Sequence, residues 1–396
     1  MPKAAWHFAT AACDSASKKT APSPVRETIT PVTDRSQTIV SGSAGVPIPA
    51  QDDTIESVVP ASRAQWLDYC NTCPGVTFFH TPFWADLFER CFPRRYKAVP
   101  LLFRFHDGSS ALLPLIVKRH MAGLIRIGCS MPAGTYGGWL SHSSPLRQQQ
   151  EIAIMDHCTG NADLVFRENP YSPVQLPPEK FRSREDHTQT INLSAGYGSV
   201  WLRSTAAHRN AVRNAQRSGL EVREAQSSSE WEEYCTIYDA SIDRWRKRHN
   251  FTGAKYDRPF FSEIERMKPA QRKLWLAKVG GTCIAGILCF YWKDHAVVWH
   301  GAGLSEYFSY HPNNYLYDRA IAHAADAGYA WFDCNPSGGL PGVDNFKRYL
   351  GAQPLRSRVF IERTKLTRFV SMLRQSSRRH GISALVIGRE LHDSTE

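Results

Sequence analysis

The chain has no uninterrupted apolar run of about 18 residues, the length a membrane-spanning helix requires, so no transmembrane segment is expected. The alanine-rich start from Met1 to Cys13 carries one early lysine and is broken by His7, which leaves no apolar core for a secretory signal. The ten cysteines are scattered through a large chain, and some, such as Cys283 and Cys289, sit inside apolar runs that suit a small buried thiol. That usage argues against a disulfide scaffold. With no histidine cluster beside the cysteines, no zinc or other metal site is expected. These absences point to a reduced, cytoplasmic protein.

Negative charge is also in short supply. Against 48 Lys and Arg stand 37 Asp and Glu, giving +11, which favours an anionic partner such as RNA, a nucleotide, a phosphorylated precursor or a membrane surface. The length of 396 residues, with 42% hydrophobic and 11% aromatic content, is enough to bury two cores. Residues 1–56 are rich in Ser, Thr, Ala and Pro without hydrophobic periodicity, so a disordered tail is expected there.

Beyond the tail the sequence repeats itself. Trp66-Leu67-Asp68-Tyr69-Cys70 and Trp231-Glu232-Glu233-Tyr234-Cys235 share a W-x-x-Y-C pattern that puts Trp and Tyr on one helical face. A hairpin is expected downstream of each. The first runs from Ala98 to Phe105, turns at Asp107-Gly108 and returns through Ala111 to Val117; the second runs from Lys273 to Val279, turns at Gly280-Gly281 and returns from Cys283 to Trp292. A third strand at His295 to Gly301, a helix from Pro312 to Ala327 and a buried strand from Tyr329 to Cys334 complete the second unit. The pattern is α+β around a largely antiparallel sheet, and the agreement in order favours a tandem duplication.

Several stretches resemble the FemAB-like branch of the GNAT superfamily. They are Pro312-Asn313, Gly328-Tyr329, Phe332-Asp333 and Phe346-Lys347-Arg348-Tyr349-Leu350-Gly351-Ala352 in the second unit, Tyr136-Gly137-Gly138 in the first, and His208 to Ala215 with Gly219 between them. The resemblance runs from about residue 60 to 362. It implies two tandem GNAT-like domains, each a mostly antiparallel central sheet flanked by helices: 57–195 on the acceptor side and 226–362 on the donor side, joined by a basic helix at 196–225. Residues 363–396 read as a basic amphipathic helix and tail, with Leu366, Phe369, Val370 and Leu373 on one face. Docking on its own domain is the default for that helix, with tRNA or an anionic membrane as the other options.

The candidate site follows from both readings. The resemblance places Lys347 near the donor's reactive end, where a cation would neutralise the oxyanion formed when an amine attacks an ester. Phe346 beside it is a channel wall or core. Asp333 and Asn335 lie at the end of the predicted buried strand, where Asp333 could accept a proton or orient the amine, or simply cap a turn. Tyr136, Gly137 and Gly138 could bring backbone amides to an acceptor or form only a tight turn. Trp84, in an aromatic cluster, lines the acceptor pocket or the core. Arg209, Arg213 and Arg217 recur every four residues, a stripe for phosphates or a solvated face. Asn314 belongs to the donor-side segment. Cys334 has no partner that would make it a nucleophile.

The segment from Tyr307 to Asn314 decides the expected donor. Coenzyme A enzymes of the superfamily cradle pyrophosphate with a glycine-bearing loop opening onto a helix N-terminus. Here the segment has no glycine, and Pro312 removes an amide. No bound cofactor is therefore expected, and aminoacyl-tRNA is the expected co-substrate, with a peptidoglycan precursor, peptide or related small molecule as acceptor and peripheral membrane contact as a further partner. An acyl-CoA-dependent N- or O-acyltransferase of envelope or exopolysaccharide synthesis is the second reading, and a noncatalytic RNA- or precursor-binding module the third.

Overall fold

The computed structural model describes residues 52–364 and Thr367, except 121, 122, 124, 143, 144, 161, 250–253 and 339. The expected C-terminal amphipathic helix and nearly all of the expected tail lie outside the described residues.

The first unit opens with strand β1 (Ile55–Pro60), so ordered structure begins two residues inside the stretch assigned to the tail. Helix α1 (Arg63–Thr72) starts where Ser62 and Gln65 form a reciprocal capping box, each side chain bonding the other's backbone N–H. Its W-x-x-Y-C face is buried, and Trp66 Nε1 donates to His80 O at 2.8 Å. Helix α2 (Pro82–Cys91) follows, with proline at its first turn. Then come β2 (Tyr96–Ala98), β3 (Leu101–Phe105), β4 (Ser110–Leu113), β5 (Ile116–His120), β6 (Ile125–Cys129), α3 (Gln148–Thr159) and β7 (Asp163–Arg167). The first expected hairpin is real, but Pro114 divides its return strand. β3 and β4 join β1 in a small sheet, while β5 continues into a larger one.

Strand β8 (Ser183–Asn192) leads through α4 (Gly196–Arg203) and α5 (Ala206–Arg217) to the second unit. That unit contains β9 (Glu221–Glu224), α6 (Ser228–His249), α7 (Arg258–Glu265), β10 (Arg272–Val279), β11 (Thr282–Trp292), β12 (His295–Gly303), α8 (Pro312–Asp326), β13 (Trp331–Asp333), α9 (Pro341–Tyr349) and β14 (Gln353–Glu362). The β10–β11 turn is Gly280-Gly281, both at positive φ, where a Cβ would be strained.

One sheet of eleven strands runs through both units in the order β2-β5-β6-β7-β14-β8-β13-β12-β11-β10-β9. Its centre is palindromic. β6 and β7 are parallel, β7–β14, β14–β8 and β8–β13 are antiparallel, and β13 and β12 are parallel again. β8 thus lies between β14 and β13, both from the second segment, while β14 reaches back to pair with β7. A cut at residue 195 divides the chain but not the sheet.

Side chains lock the two units as well. Phe78 stacks on Phe290 at 4.4 Å, and Trp292 Nε1 and Lys293 Nζ donate to the α1 carbonyl end at Cys70 O (3.0 Å) and Cys73 O (2.7 Å). Cys70 and Cys73 have C-x-x-C spacing, which metal and redox sites use. Both are buried free thiols; burial pushes Cys73 up to about 11 and Cys70 higher still. Among the described residues no three metal-capable side chains cluster, and no helix there is long and apolar enough to cross a membrane.

Candidate functional site

β12 and β13 pair only from His295 to Val297 and from Trp331 to Asp333. Past that point the backbone turns at Asn335, which sits at φ 60 and donates its side-chain amide to Val298 O at 2.5 Å, bridging the two strands. From α9, the fully buried Lys347 donates to Asn335 O at 2.6 Å and Pro336 O at 3.1 Å. Burial lowers Lys347 to about 8, so its ammonium is held at a cost that two carbonyls only partly offset.

Asp333 is wholly buried and saturated. It accepts from Tyr136 OH and Tyr171 OH, each at 2.9 Å, from Asn335 N at 2.6 Å and from Thr188 Oγ1, with His295 Nε2 at 3.8 Å. Burial opposes its ionisation, but His295 and the hydrogen bonds outweigh that and hold it below the ordinary carboxylate range.

Beside this network the β8–β14 pair forms the floor of a cleft of about 740 Å³. The pleat sends Glu185, His187 and Gln189 of β8 to the same face as Arg358, Arg356 and Pro354, their cross-strand partners. One wall is α9, through Asp344 and Arg348; the other is the 168–174 segment of the first unit. Gln189 donates to Asp344 Oδ1 at 2.6 Å, and His187 Nε2 stands 3.6 Å from the same oxygen. Burial opposes ionisation of Asp344, but Gln189, His187 and Arg348 keep it a carboxylate. The buried Gln189 Oε1 has no partner. Gln189 O accepts from Cys334 N at 2.8 Å, so this end of the cleft abuts the end of β13.

Ahead of α8, residues 305–310 form a 3₁₀ turn, His311 is left-handed at φ 53, and the helix begins with Pro312. The amides of Tyr307, His311 and Tyr315 are already bonded to backbone carbonyls.

Residues 205–348 match the acetyltransferase (GNAT) domain family. This part of the chain is a GNAT acyltransferase domain. No protein of curated function matches the chain in sequence. Among solved structures, FemX is similar over both units, with TM-score 0.58 at 10% identity, covering 76% of this chain and 96% of that one. Similarity extends to L-PGS from Bacillus licheniformis (12% identity, 69% and 88% covered, TM-score 0.45) and to a tandem GNAT protein from the clavulanic acid biosynthesis pathway (12%, 77% and 97%, 0.44). The α+β arrangement of two GNAT-like units expected from the sequence is the one found.

Within and around the GNAT domain, the structure brings Tyr136, Asp333, Asn335 and Lys347 into one connected network. Phe346 packs edge-on against Tyr317 at 5.3 Å and is core. Gly137 is required by close approach, since a Cβ there would lie 2.7 Å from Ser130 O, and Gly138 sits at φ 116. Neither Lys347 nor Asp333 is open to solvent. Asp333, expected to accept a proton or orient the amine, has both oxygens engaged and serves as the anchor of the network.

Three expected residues lie elsewhere. Trp84, offered for the acceptor pocket, is fully buried among Phe79, Phe88, Phe290 and Trp299, with its indole N–H on Thr135 at 3.1 Å, because a large aromatic stabilises a unit–unit core more than a wet wall. Arg209 does not join a phosphate stripe; it donates to Ser204 O and to Trp201 O at 3.3 Å, satisfying carbonyls at the end of α4. Asn314 contacts the His208 ring at 3.1 Å and ties α8 to α5. Arg213, over the Trp201 ring at 5.8 Å, and Arg217 remain exposed, and among the described residues neither has a carboxylate partner. The sequence reading missed Tyr171, Thr188, His295, His187, Gln189 and Asp344. The signal available was the run from Ser183 to Asn192, polar at nearly every position, an odd composition for a central strand.

Proposed function

We propose that the chain moves an aminoacyl group from aminoacyl-tRNA to the amine of a peptidoglycan precursor, a peptide or a related small acceptor. The observation that carries this reading is the start of α8. Its 3₁₀ turn, lack of glycine and leading proline depart from the glycine-bearing loop that lays successive amides along a pyrophosphate. An aminoacyl ester is already activated, so catalysis reduces mainly to positioning and charge stabilisation. The exposed Arg213 and Arg217 supply guanidinium groups for its phosphates.

In this reading the acceptor lies in the cleft, with its amine at the Gln189–Asp344 end. The Asp344 carboxylate orients it, and His187 is the imidazole that takes its proton. The amine nitrogen bonds to the ester carbonyl carbon, the carbon–oxygen ester bond breaks, and the ribose hydroxyl leaves with a proton. Lys347, dry and bound to the Asn335–Pro336 turn, contributes positive potential as the oxyanion forms.

The family's description as an acetyltransferase domain favours a second reading, transfer from an acyl-CoA to an amine or hydroxyl of an envelope component. The test incubates purified protein and candidate acceptors with labelled aminoacyl-tRNA pools or labelled acyl-CoA. Label passing from tRNA into a base-stable amide supports the first reading. Turnover of acyl-CoA with no consumption of aminoacyl-tRNA sinks it.

A further inference from the structure

The large apolar side chains left exposed among the described residues are Leu202, 77% exposed, and Tyr349, 47% exposed. They are far apart in sequence, yet the fold puts them on one corner. Thr205, three residues after Leu202, donates its N–H to Tyr349 O at 3.0 Å, and a Cβ on Gly351 would lie 3.5 Å from Ser204 N. Half-buried Trp201 adjoins them.

Guanidinium groups surround this corner. Arg203 bonds only neutral acceptors, Ser199 Oγ at 2.7 Å and Asn192 O at 2.9 Å; Arg213 lies over Trp201; Arg348, next to Tyr349, faces Asp344 at 3.3 Å. The patch is thus apolar at its tip and cationic at its rim. We propose that the α4–α5 corner, with the end of α9, docks on an anionic lipid surface, Leu202 and Tyr349 entering the headgroup boundary and Arg203, Arg213 and Arg348 pairing with lipid phosphates.

Charge complementarity selects this occupant. A second copy of the chain would bring the same arginines face to face, and two side chains fall far short of the roughly 800 Å² per partner that a stable dimer buries. Single-stranded RNA stacks on flat rings, whereas the most exposed member here is a branched aliphatic. Leu202, Tyr349 and Arg203, the residues changed in the test, lie outside the cleft, while Arg348 borders both surfaces and Arg213 also serves the tRNA contact proposed above.

The test sediments the full-length protein with phosphatidylcholine vesicles and with vesicles in which part of that lipid is phosphatidylglycerol. The wild type should bind the anionic vesicles, less tightly as salt rises. Combined Leu202→Asp and Tyr349→Ser should weaken that binding by about tenfold or more, and Arg203→Glu should weaken it several-fold, with circular dichroism and melting curves confirming that each variant is folded. Equal sedimentation of the double variant and the wild type overturns the proposal, as does failure of the wild type to bind. A parallel anisotropy titration with a short single-stranded RNA provides the other reading: loss of RNA affinity in the double variant, with vesicle binding intact, assigns the patch to RNA and overturns the lipid proposal.

Discussion

Tyr136 and Asp333, 197 residues apart, meet through a 2.9 Å hydrogen bond that joins the turn of the first unit to the end of β13 in the second. Tyr171, from the segment walling the cleft, lands on the same oxygen. The two units therefore share one buried carboxylate, and the geometry of the β12–β13 notch depends on both.

Loss of the acceptor should cost more than loss of one donor. Tyr136→Phe removes one hydrogen bond to a charged group and should destabilise by about 1–3 kcal/mol. Asp333→Ala leaves two tyrosine hydroxyls, a threonine hydroxyl and a backbone N–H without their acceptor and should cost about 3–5 kcal/mol. Urea unfolding of the two variants measures the difference; equal losses would contradict the shared-anchor account.

Lys347 makes a pH-dependent contribution with a definite sign. Its folded value, about 8, is below its ordinary 10.5, so between these values the unfolded chain binds the extra proton and this group's contribution to stability rises with pH. Buried cysteines and tyrosines act in the opposite direction, so the comparison is between wild type and Lys347→Met. The stability difference should move by a few kcal/mol in favour of the wild type as the pH rises from 8 to 10.5, with a slope approaching about 1.4 kcal/mol for each tenfold fall in proton concentration. A flat difference would show that the lysine is not held in this environment. Activity should fall over the same range as the cation is lost.

Gly137→Ala should be severe. Its Cβ would press on Ser130 O, backbone that cannot swing aside, so a loss of roughly 1–3 kcal/mol or more is expected. Gly108→Ala, at φ 83 but with open space around it, should cost about 1 kcal/mol. Thermal melting of both separates steric approach from backbone strain.

The cleft variants should separate binding from folding. Arg356→Glu reverses an exposed charge on the cleft floor and should raise KM for the acceptor with little change in melting temperature. Asp344→Asn and His187→Gln should lower kcat/KM by about 100-fold or more if they orient and deprotonate the amine. Steady-state kinetics with a fixed donor reads both.

The elements of the second unit were legible because each carries a local signal: glycines at the β10–β11 turn, proline at the start of α8, and alternating or continuous apolar runs between. The repeat was legible through Trp66 and Trp231, whose helical faces are both buried. The strand exchange was not, because nothing local in the polar β8 says that it will pair with strands more than a hundred residues away. For the site, the residues near Lys347 and Asp333 came from the resemblance, and the structure adds which of them touch. Trp84 and Arg209 were misplaced for one reason: an aromatic and a guanidinium each suit a ligand or a structural partner equally well, and only the fold shows which neighbour is present.

The central claim concerns the donor, and a competition measures it most directly. The protein is given an acceptor amine together with aminoacyl-tRNA and an acyl-CoA that carry distinguishable labels, and the amide product is analysed by mass. The account predicts that the aminoacyl label enters the product and that Arg213→Glu with Arg217→Glu slows its entry, an effect that shrinks as salt rises. Product carrying only the acyl label from coenzyme A, with aminoacyl-tRNA left intact, would contradict it.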